Sequence, residues 1–522
     1  MRFVMRHFES SLRPIELPVA LKTVRGGVGW LLFVVIWQLL SPFTRYWALP
    51  GPLEIALQVT ADWSTITPHL AATLTNASIG LTAGMAVGLL LGIGFSHSRT
   101  FELLCYGPAL VIYALPIIAL APLLALLLPN GLVPIAFAAI TVFFPIALTT
   151  RRALADIDTN KRRLFEFYGA RAGSRFFQLE MPSALPAMLA GVQVVVPWAL
   201  LGAMLGEFVG GRWGLGVLML GTLGRGEPVR LWAIAAVATG LSGAGYLLVA
   251  VIRASLEARL GSDTEIRDAG SAIDPIEFWH LFVGLISAVF AWELLAQLSS
   301  IGSPLILGPV EVIDRLAADT ALLDQLLNAF ASTAPVALLA LGIGVSVATI
   351  WAIIGRVLPA IGNILTSATL VSQSVPLLAL APLLVLSLGR GVVVTVVISV
   401  LAIVFPGYAA ILQRLETVPK ELTSLARFYS RHRTSRLFHV ELPWALYGIF
   451  TAIRIAVPRV LLGVMLAEYL ATGQGLGFLM ATARGRIDFT TVWAGIALTA
   501  LFSLTLYYIA GLAERALSRQ VR

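Results

Sequence analysis

The chain has 522 residues, about three times the ~150 of a typical domain, so it holds more than one unit. Residues of the set AVILMFWYC make up 58% and charged residues only 12%, against ~45–50% and ~25% in soluble domains, and the mean hydropathy is +0.88. This is the composition of an integral membrane protein, and it excludes a soluble enzyme, a disulfide scaffold and a disordered chain. The single cysteine, Cys105, has no intrachain partner and the six histidines are scattered, so no metal or other cofactor is expected. The net charge of +8 belongs with loops beside a bilayer rather than with nucleic acid.

The N-terminal stretch holds Arg2, Arg6, Arg13, Lys22 and Arg25 with no apolar run between them, so no cleavable signal peptide is expected and the N-terminus is placed in the cytoplasm. Spanning helices need roughly 20 mostly apolar residues. Such stretches fall near 26–43, 73–95, 105–128, 132–150, 184–206 and 231–252, then near 278–298, 334–354, 364–388, 392–412, 445–467 and 492–512. The second set repeats the first at an offset of 257 to 261 residues. Gly51-Pro52-x-Glu54 returns as Gly308-Pro309-x-Glu311, and Pro116-x-x-Ala119-Leu120-Ala121-Pro122 as Pro376-x-x-Ala379-Leu380-Ala381-Pro382. Glu180-x-Pro182 returns as Glu441-x-Pro443, and Gly214-Leu215-Gly216 as Gly475-Leu476-Gly477. An even number of spans returns each half to its starting side, so the halves are parallel repeats about an axis along the membrane normal. The expected fold is an all-α polytopic membrane protein of about 12 transmembrane helices. Its halves are residues 1–262, with core helices about 69–252, and 263–522, with core helices about 328–512.

Lysine and arginine set the orientation. The loop 151–182 holds Arg151, Arg152, Lys161, Arg162, Arg163, Arg171 and Arg175, and its counterpart 413–443 is similarly basic, so both face the cytoplasm. Loops 44–72 and 299–333, with Arg45 and Arg315 alone, face outward, and the charged stretch 253–277 reads as the linker between halves. Both cytoplasmic loops are too long for tight turns. In the first, Leu164, Phe165, Phe167 and Tyr168, then Phe176, Phe177 and Leu179, read as two short amphipathic helices broken at Gly169. Leu425, Phe428, Tyr429, Phe438 and Val440 fill the same places around Ser430. Such aromatic faces dock a partner, or else lie on the bilayer surface between basic flanks.

Gly169 to Pro182 and Ser430 to Pro443 share a thirteen-residue spacing. With the Ala-Pro-Leu-Leu segments, the closing Glu207 and Glu468, and the Gly-Leu-Gly that follows each, the chain resembles the type I ABC importer permeases of the nitrate/sulfonate/taurine group. The resemblance spans both halves, as in two permeases fused in tandem. Where that family carries Glu-Ala-Ala, this chain has Arg163-Leu164-Phe165 and Ser424-Leu425-Ala426, and the second half lacks the glycine. The resemblance implies that the segments around Gly169 and Ser430 are coupling helices for a cytoplasmic ABC ATPase dimer. It further implies an extracytoplasmic substrate-binding protein, a cell (inner) membrane location with both termini cytoplasmic, and a small solute. An anion such as nitrate, a sulfonate, taurine or bicarbonate leads, with a vitamin precursor as the alternative.

None of the three lysines sits in a P-loop frame, so any ATP is hydrolysed by another polypeptide and the chain is not itself an enzyme. The rival reading, an ion-coupled carrier of parallel six-helix repeats, calls for midplane carboxylates, whereas Glu207 and Glu468 lie at helix ends. A membrane enzyme would need clustered His, Asp or Ser-His residues, which are missing from the sequence pattern. Pro116 and Pro376 either break the helix that lines the pathway or kink it for packing. Gly80, Gly84, Gly88 and Gly92 form a ridge for close helix packing. Arg454 and Arg459 lie inside an apolar span where the first half has Gln193 and Trp198. They bind backbone carbonyls at a broken helix, or form a cationic patch for an anionic solute.

Overall fold

A computed structural model describes residues 34–43, 49–129, 131–260, 278–299, 306–358, 377–416 and 440–520, with residues 361, 362, 365, 418 and 428. The first half contains α1 (Val34–Phe43), α2 (Pro52–Ala61), α3 (Trp63–His97), α4 (Arg99–Ala114), α5 (Ala121–Leu127), α6 (Val133–Ala155), α7 (Thr159–Phe167), α8 (Met181–Gly210), α9 (Leu215–Arg225) and α10 (Pro228–Leu260). The second contains α11 (Phe278–Ser299), α12 (Pro309–Ala318), α13 (Thr320–Val357), α14 (Leu377–Leu388), α15 (Val392–Glu416), α16 (Leu442–Ala467), α17 (Gly475–Gly485) and α18 (Phe489–Gln520). Among the described residues, 8 helices are long and apolar enough to cross a membrane, four from each half: α3, α6, α8 and α10, and α13, α15, α16 and α18. The fold is all-α and polytopic, built from two like repeats.

The glycine ridge explains how tightly α3 lies on α6. A Cβ on Gly80, Gly84, Gly88 or Gly92 would stand 2.4 to 2.6 Å from Ala138 Cβ or from the carbonyls of Ala139, Phe143 and Ala147. The equivalent face of α13 reads Ala340, Gly344, Ala348 and Ala352, all buried, and packs on α15. Small residues let backbones approach where no hydrophobic driving force separates helix from lipid. The halves interlock as well as pair. Helix α11, which opens the second half, packs on α4 of the first at a glycine–glycine contact, where a Cβ on Gly107 would stand 1.8 Å from the Cα of Gly284. Helix α10 in turn packs on α14.

Three boundaries differ from expectation. The stretch 105–128 is not one span: α4 ends at Ala114, a 3₁₀ turn Ile117–Leu120 follows, and the chain bends by 92°. Hydropathy runs unbroken through it, but Leu115 is extended and Pro116 has no N–H with which to continue the ladder. The carbonyl of Ala114 freed by the break accepts from Ser503 Oγ of α18, 2.5 Å away, so the other half satisfies it. Pro122 falls in the first turn of α5, where the missing N–H costs nothing. Helix α10 continues through Leu260, so the first eight residues of the linker expected from 253 are helical. Helix α3 begins at Trp63, well before the expected 73; its first turns, which include Ser64, Thr65, Thr67 and His69, are too polar to show as an apolar run.

Candidate functional site

A cavity of about 230 Å³ lies between the halves. Its walls come in pairs 261 residues apart: Ile140 and Leu401, Thr141 and Ala402, Pro197 and Pro458, Trp198 and Arg459, Leu201 and Leu462. Residues related by the repeat therefore face one another, and the cavity sits astride the pseudo-twofold axis. The break in the first half adds Tyr113, Leu115, Pro116 and Ile117, and α15 adds Phe405 and Pro406. Pro116 thus lines the cavity as the end of a broken helix. Pro376 lies outside the described residues.

Arg459 is the one charged residue among the described residues that line this space. Its Cζ stands 4.3 Å from the centre of the Trp198 ring, and among the described residues no carboxylate pairs with it. A cation over an indole face is favourable, more so away from water. The hydroxyl of Thr141 faces the carbonyls of Ala138 at 2.7 Å and Trp198 at 3.1 Å, which ties α6 to α8 beside that ring.

Of the residues weighed for the pathway, Arg454 and Gln193 do not line this cavity. Arg454 is 3% exposed; it donates from Nη1 to Glu514 Oε2 at 2.9 Å and from Nη2 to the Tyr507 hydroxyl at 3.0 Å, and lies over the Tyr507 ring. Thr451 donates to the other carboxylate oxygen at 2.9 Å. In the first half, Gln193 accepts from Arg253 at 3.4 Å, and Arg253 occupies the position that Glu514 holds in the second. The same pair of helices is thus bridged in both halves with the charge moved across. Glu514 and Arg253 were the residues missed, and the halves laid over one another carry the signal, because both members of the pair change together.

Glu207 and Glu468 anchor helix ends. Glu207 accepts from Thr73 at 2.8 Å, from Asn76 at 3.1 Å and from the Gly216 backbone N–H at 3.1 Å, while Leu215 N–H donates to Thr73 Oγ1. Glu468 accepts from Thr333 at 2.7 Å and from Gly477 N–H at 2.8 Å. Each buried carboxylate caps the N-terminus of α9 or α17, where orphan N–H groups and the helix dipole favour an acceptor. This also accounts for Gly-Leu-Gly: Gly214 (φ 136°) and Gly475 (φ 89°) leave the room a Cβ would take 2.0 to 2.1 Å from the carboxylates.

In the loop 151–182, Asp158 caps α7 and Gly169 (φ 72°) closes it, with the Ala170 N–H returning to the Phe165 carbonyl at 3.0 Å. A short turn Ala172–Arg175 and a π-turn Phe176–Glu180 lead into α8. Leu164, Phe167, Tyr168 and Phe177 point outward, with Phe167 85% exposed. Phe165 is not part of that face: it packs with Phe176 on Leu154, Ile157 and Leu179. The loop is held to the membrane helices by buried Glu180, which meets Arg175 at 3.2 Å and His97 of α3 at 3.3 Å. Its counterpart Glu441 receives both arms of Arg356 of α13 at 3.1 Å. Phe428, the repeat of Phe167, is 86% exposed. Leu425, Tyr429 and Ser430 lie outside the described residues.

The family described as "Binding-protein-dependent transport system inner membrane component" matches residues 84–262 and again 340–522. The chain belongs to that family. The permease is 32% identical over 189 residues to a formylaminopyrimidine transport permease protein of Halalkalibacterium halodurans, covering 36% of this chain and 76% of the relative. It is 31% identical over 194 residues to a riboflavin transport system permease protein of Chloroflexus aurantiacus, covering 36% and 72%. It is 29% identical over 218 residues to the taurine transport system permease protein of Escherichia coli, covering 40% and 76%. Each relative is spanned by well under half of this chain, as expected for a tandem permease. The family is one of transport components, so the carrier and membrane-enzyme readings fall away.

Proposed function

We propose that this permease is the membrane-spanning part of an ATP-driven importer in the cell (inner) membrane, with both termini cytoplasmic and halves that meet at about residue 262. The observation that carries this reading is the cavity on the pseudo-twofold axis, walled by both halves. An ATPase dimer on the cytoplasmic side takes the loops 151–182 and 413–443, one subunit per loop, and an extracytoplasmic binding protein delivers the solute. The outward aromatics Phe167 and Phe428 at equivalent positions support this docking, and the ion pairs at Glu180 and Glu441 give each loop a rigid connection to the spans. A lever so fixed passes closure of the ATPase to the helices around the cavity.

The solute carries an anionic group, because Arg459 stands in the cavity without a counter-charge among the described residues and a buried cation favours an anion beside it. The aromatic wall of Tyr113, Trp198 and Phe405 favours a second feature, a planar ring, as in the compounds named for the relatives from Halalkalibacterium and Chloroflexus. Docking is tested by Phe167→Asp with Phe428→Asp. A tagged parent chain should copurify with an ATPase subunit from its native membrane and the double variant should not, while both elute as intact protein in detergent. Equal recovery of the ATPase would place these faces on the lipid surface instead.

A further inference from the structure

Three of the five repeat-related wall pairs are alike, with proline facing proline, leucine facing leucine and Ile140 facing Leu401, while Thr141 against Ala402 differs by a hydroxyl. Trp198 against Arg459 is the one of these five pairs that differs in charge. Trp198 and Arg459 each follow a cavity-lining proline, and the two side chains meet across the axis, Cζ to ring centre at 4.3 Å. In a pair of identical chains, a residue here would meet its own copy. Two arginines would repel one another in a space of low polarity, and two tryptophans would leave no charge. The contact therefore exists only because the halves differ.

We propose that Trp198 and Arg459 form one two-part recognition element for a compact oxyanion such as a carboxylate or sulfonate, one part from each half. This rests on the reading of the cavity as the solute pathway. The indole covers a face of the guanidinium, which leaves its N–H edges for the two oxygens of the anion, the geometry in which arginine binds oxyanions most selectively. Thr141 does not compete, since its hydroxyl lies against two carbonyls, one of them that of Trp198. With its cation on one side of the axis and its ring on the other, the element binds a solute in a single orientation.

The test uses the full-length chain in detergent, with benzenesulfonate as the anionic probe and benzenesulfonamide as its uncharged analogue. The readout is the rise in melting temperature and the probe concentration that gives half of it. Benzenesulfonate should stabilise the parent and benzenesulfonamide should not. Arg459→Gln should abolish the shift, and Trp198→Leu should raise the half-point on the order of tenfold by removing the face that orders the guanidinium. The exchange Trp198→Arg with Arg459→Trp should restore the shift with a half-point close to that of the parent. No shift in the parent at millimolar benzenesulfonate, an equal shift in Arg459→Gln, or an unchanged half-point in Trp198→Leu would each overturn the proposal. Leu201→Trp, which fills the cavity beside the pair, separates the two readings. If the shift survives in it, the probe binds elsewhere and the cavity itself is not the site. If it is lost there while the exchange fails to restore binding, the cavity stands and the two-part element does not.

Discussion

Arg454→Gln copies into the second half the residue that the first half carries at Gln193, yet it should be strongly destabilising by itself. It removes the 2.9 Å contact to Glu514, the 3.0 Å contact to the Tyr507 hydroxyl and the stacking on that ring, and leaves Glu514, only 15% exposed, with the Thr451 hydroxyl as its remaining partner among the described residues. Breaking a buried pair by removing one member costs about 3–5 kcal/mol, mostly as the charge left behind. At roughly 2 °C per kcal/mol, the lower end for a large domain, the melting temperature in detergent should fall on the order of 6–10 °C. Adding Glu514→Arg rebuilds the Gln193–Arg253 arrangement of the first half and should recover most of that loss. The measurement is thermal unfolding of the parent, both single variants and the double variant, followed by fluorescence-detected gel filtration. If the double variant melts no higher than Arg454→Gln, the repeat-related pairing is not what stabilises these helices. A normal melt in Arg454→Gln with loss of solute uptake would return Arg454 to the pathway.

Gly475→Ala places a Cβ 2.1 Å from Glu468 Oε1 at a φ of 89°, so it should destabilise by about 1–3 kcal/mol from backbone strain alone and displace the cap of α17. Gly221→Ala, inside α9 with nothing within 4 Å of the added carbon, should stabilise by about 0.5–1 kcal/mol, and equal effects in the two would refute the carboxylate cradle. Single cysteines at Ser174 and Ser435 in a Cys105→Ser background should both resist impermeant thiol reagents in intact cells. Labelling of one alone would refute the parallel arrangement of the halves.

Apolar runs of spanning length and the repeat of short motifs were legible because lipid demands continuous hydrophobicity and a satisfied backbone. The same continuity ran one span across residues 105–128, since Leu, Ile and Ala continue on both sides; Pro116 pointed to a break or a kink, and the local dihedrals and the Ser503 hydroxyl decide for a 92° break. Gly169 and the aromatic spacing located α7, but which aromatic turns inward depends on contacts with α6 and α8, so Phe165 was misplaced with its exposed neighbours. Arg454 and Arg459 looked alike in the sequence, five residues apart in one apolar span. Helical rotation puts one against α18, where Glu514 waits 60 residues downstream, and the other against the opposite half. A long-range partner of that kind is visible only when both columns of the repeat are read together.

The meeting of Gly107 and Gly284 bears on how the chain is made. Helix α4 emerges from the ribosome with a bare glycine notch whose occupant, α11, is not yet synthesised: roughly 180 residues remain to be added, about 10–35 s at ordinary elongation rates. Through that interval the first half sits in the membrane incomplete, its notch open to lipid or to another chain's helix. Synthesis as one polypeptide guarantees that the matching helix arrives in the same place, tethered and in equal number, so the first half acquires its own second half rather than a stranger's.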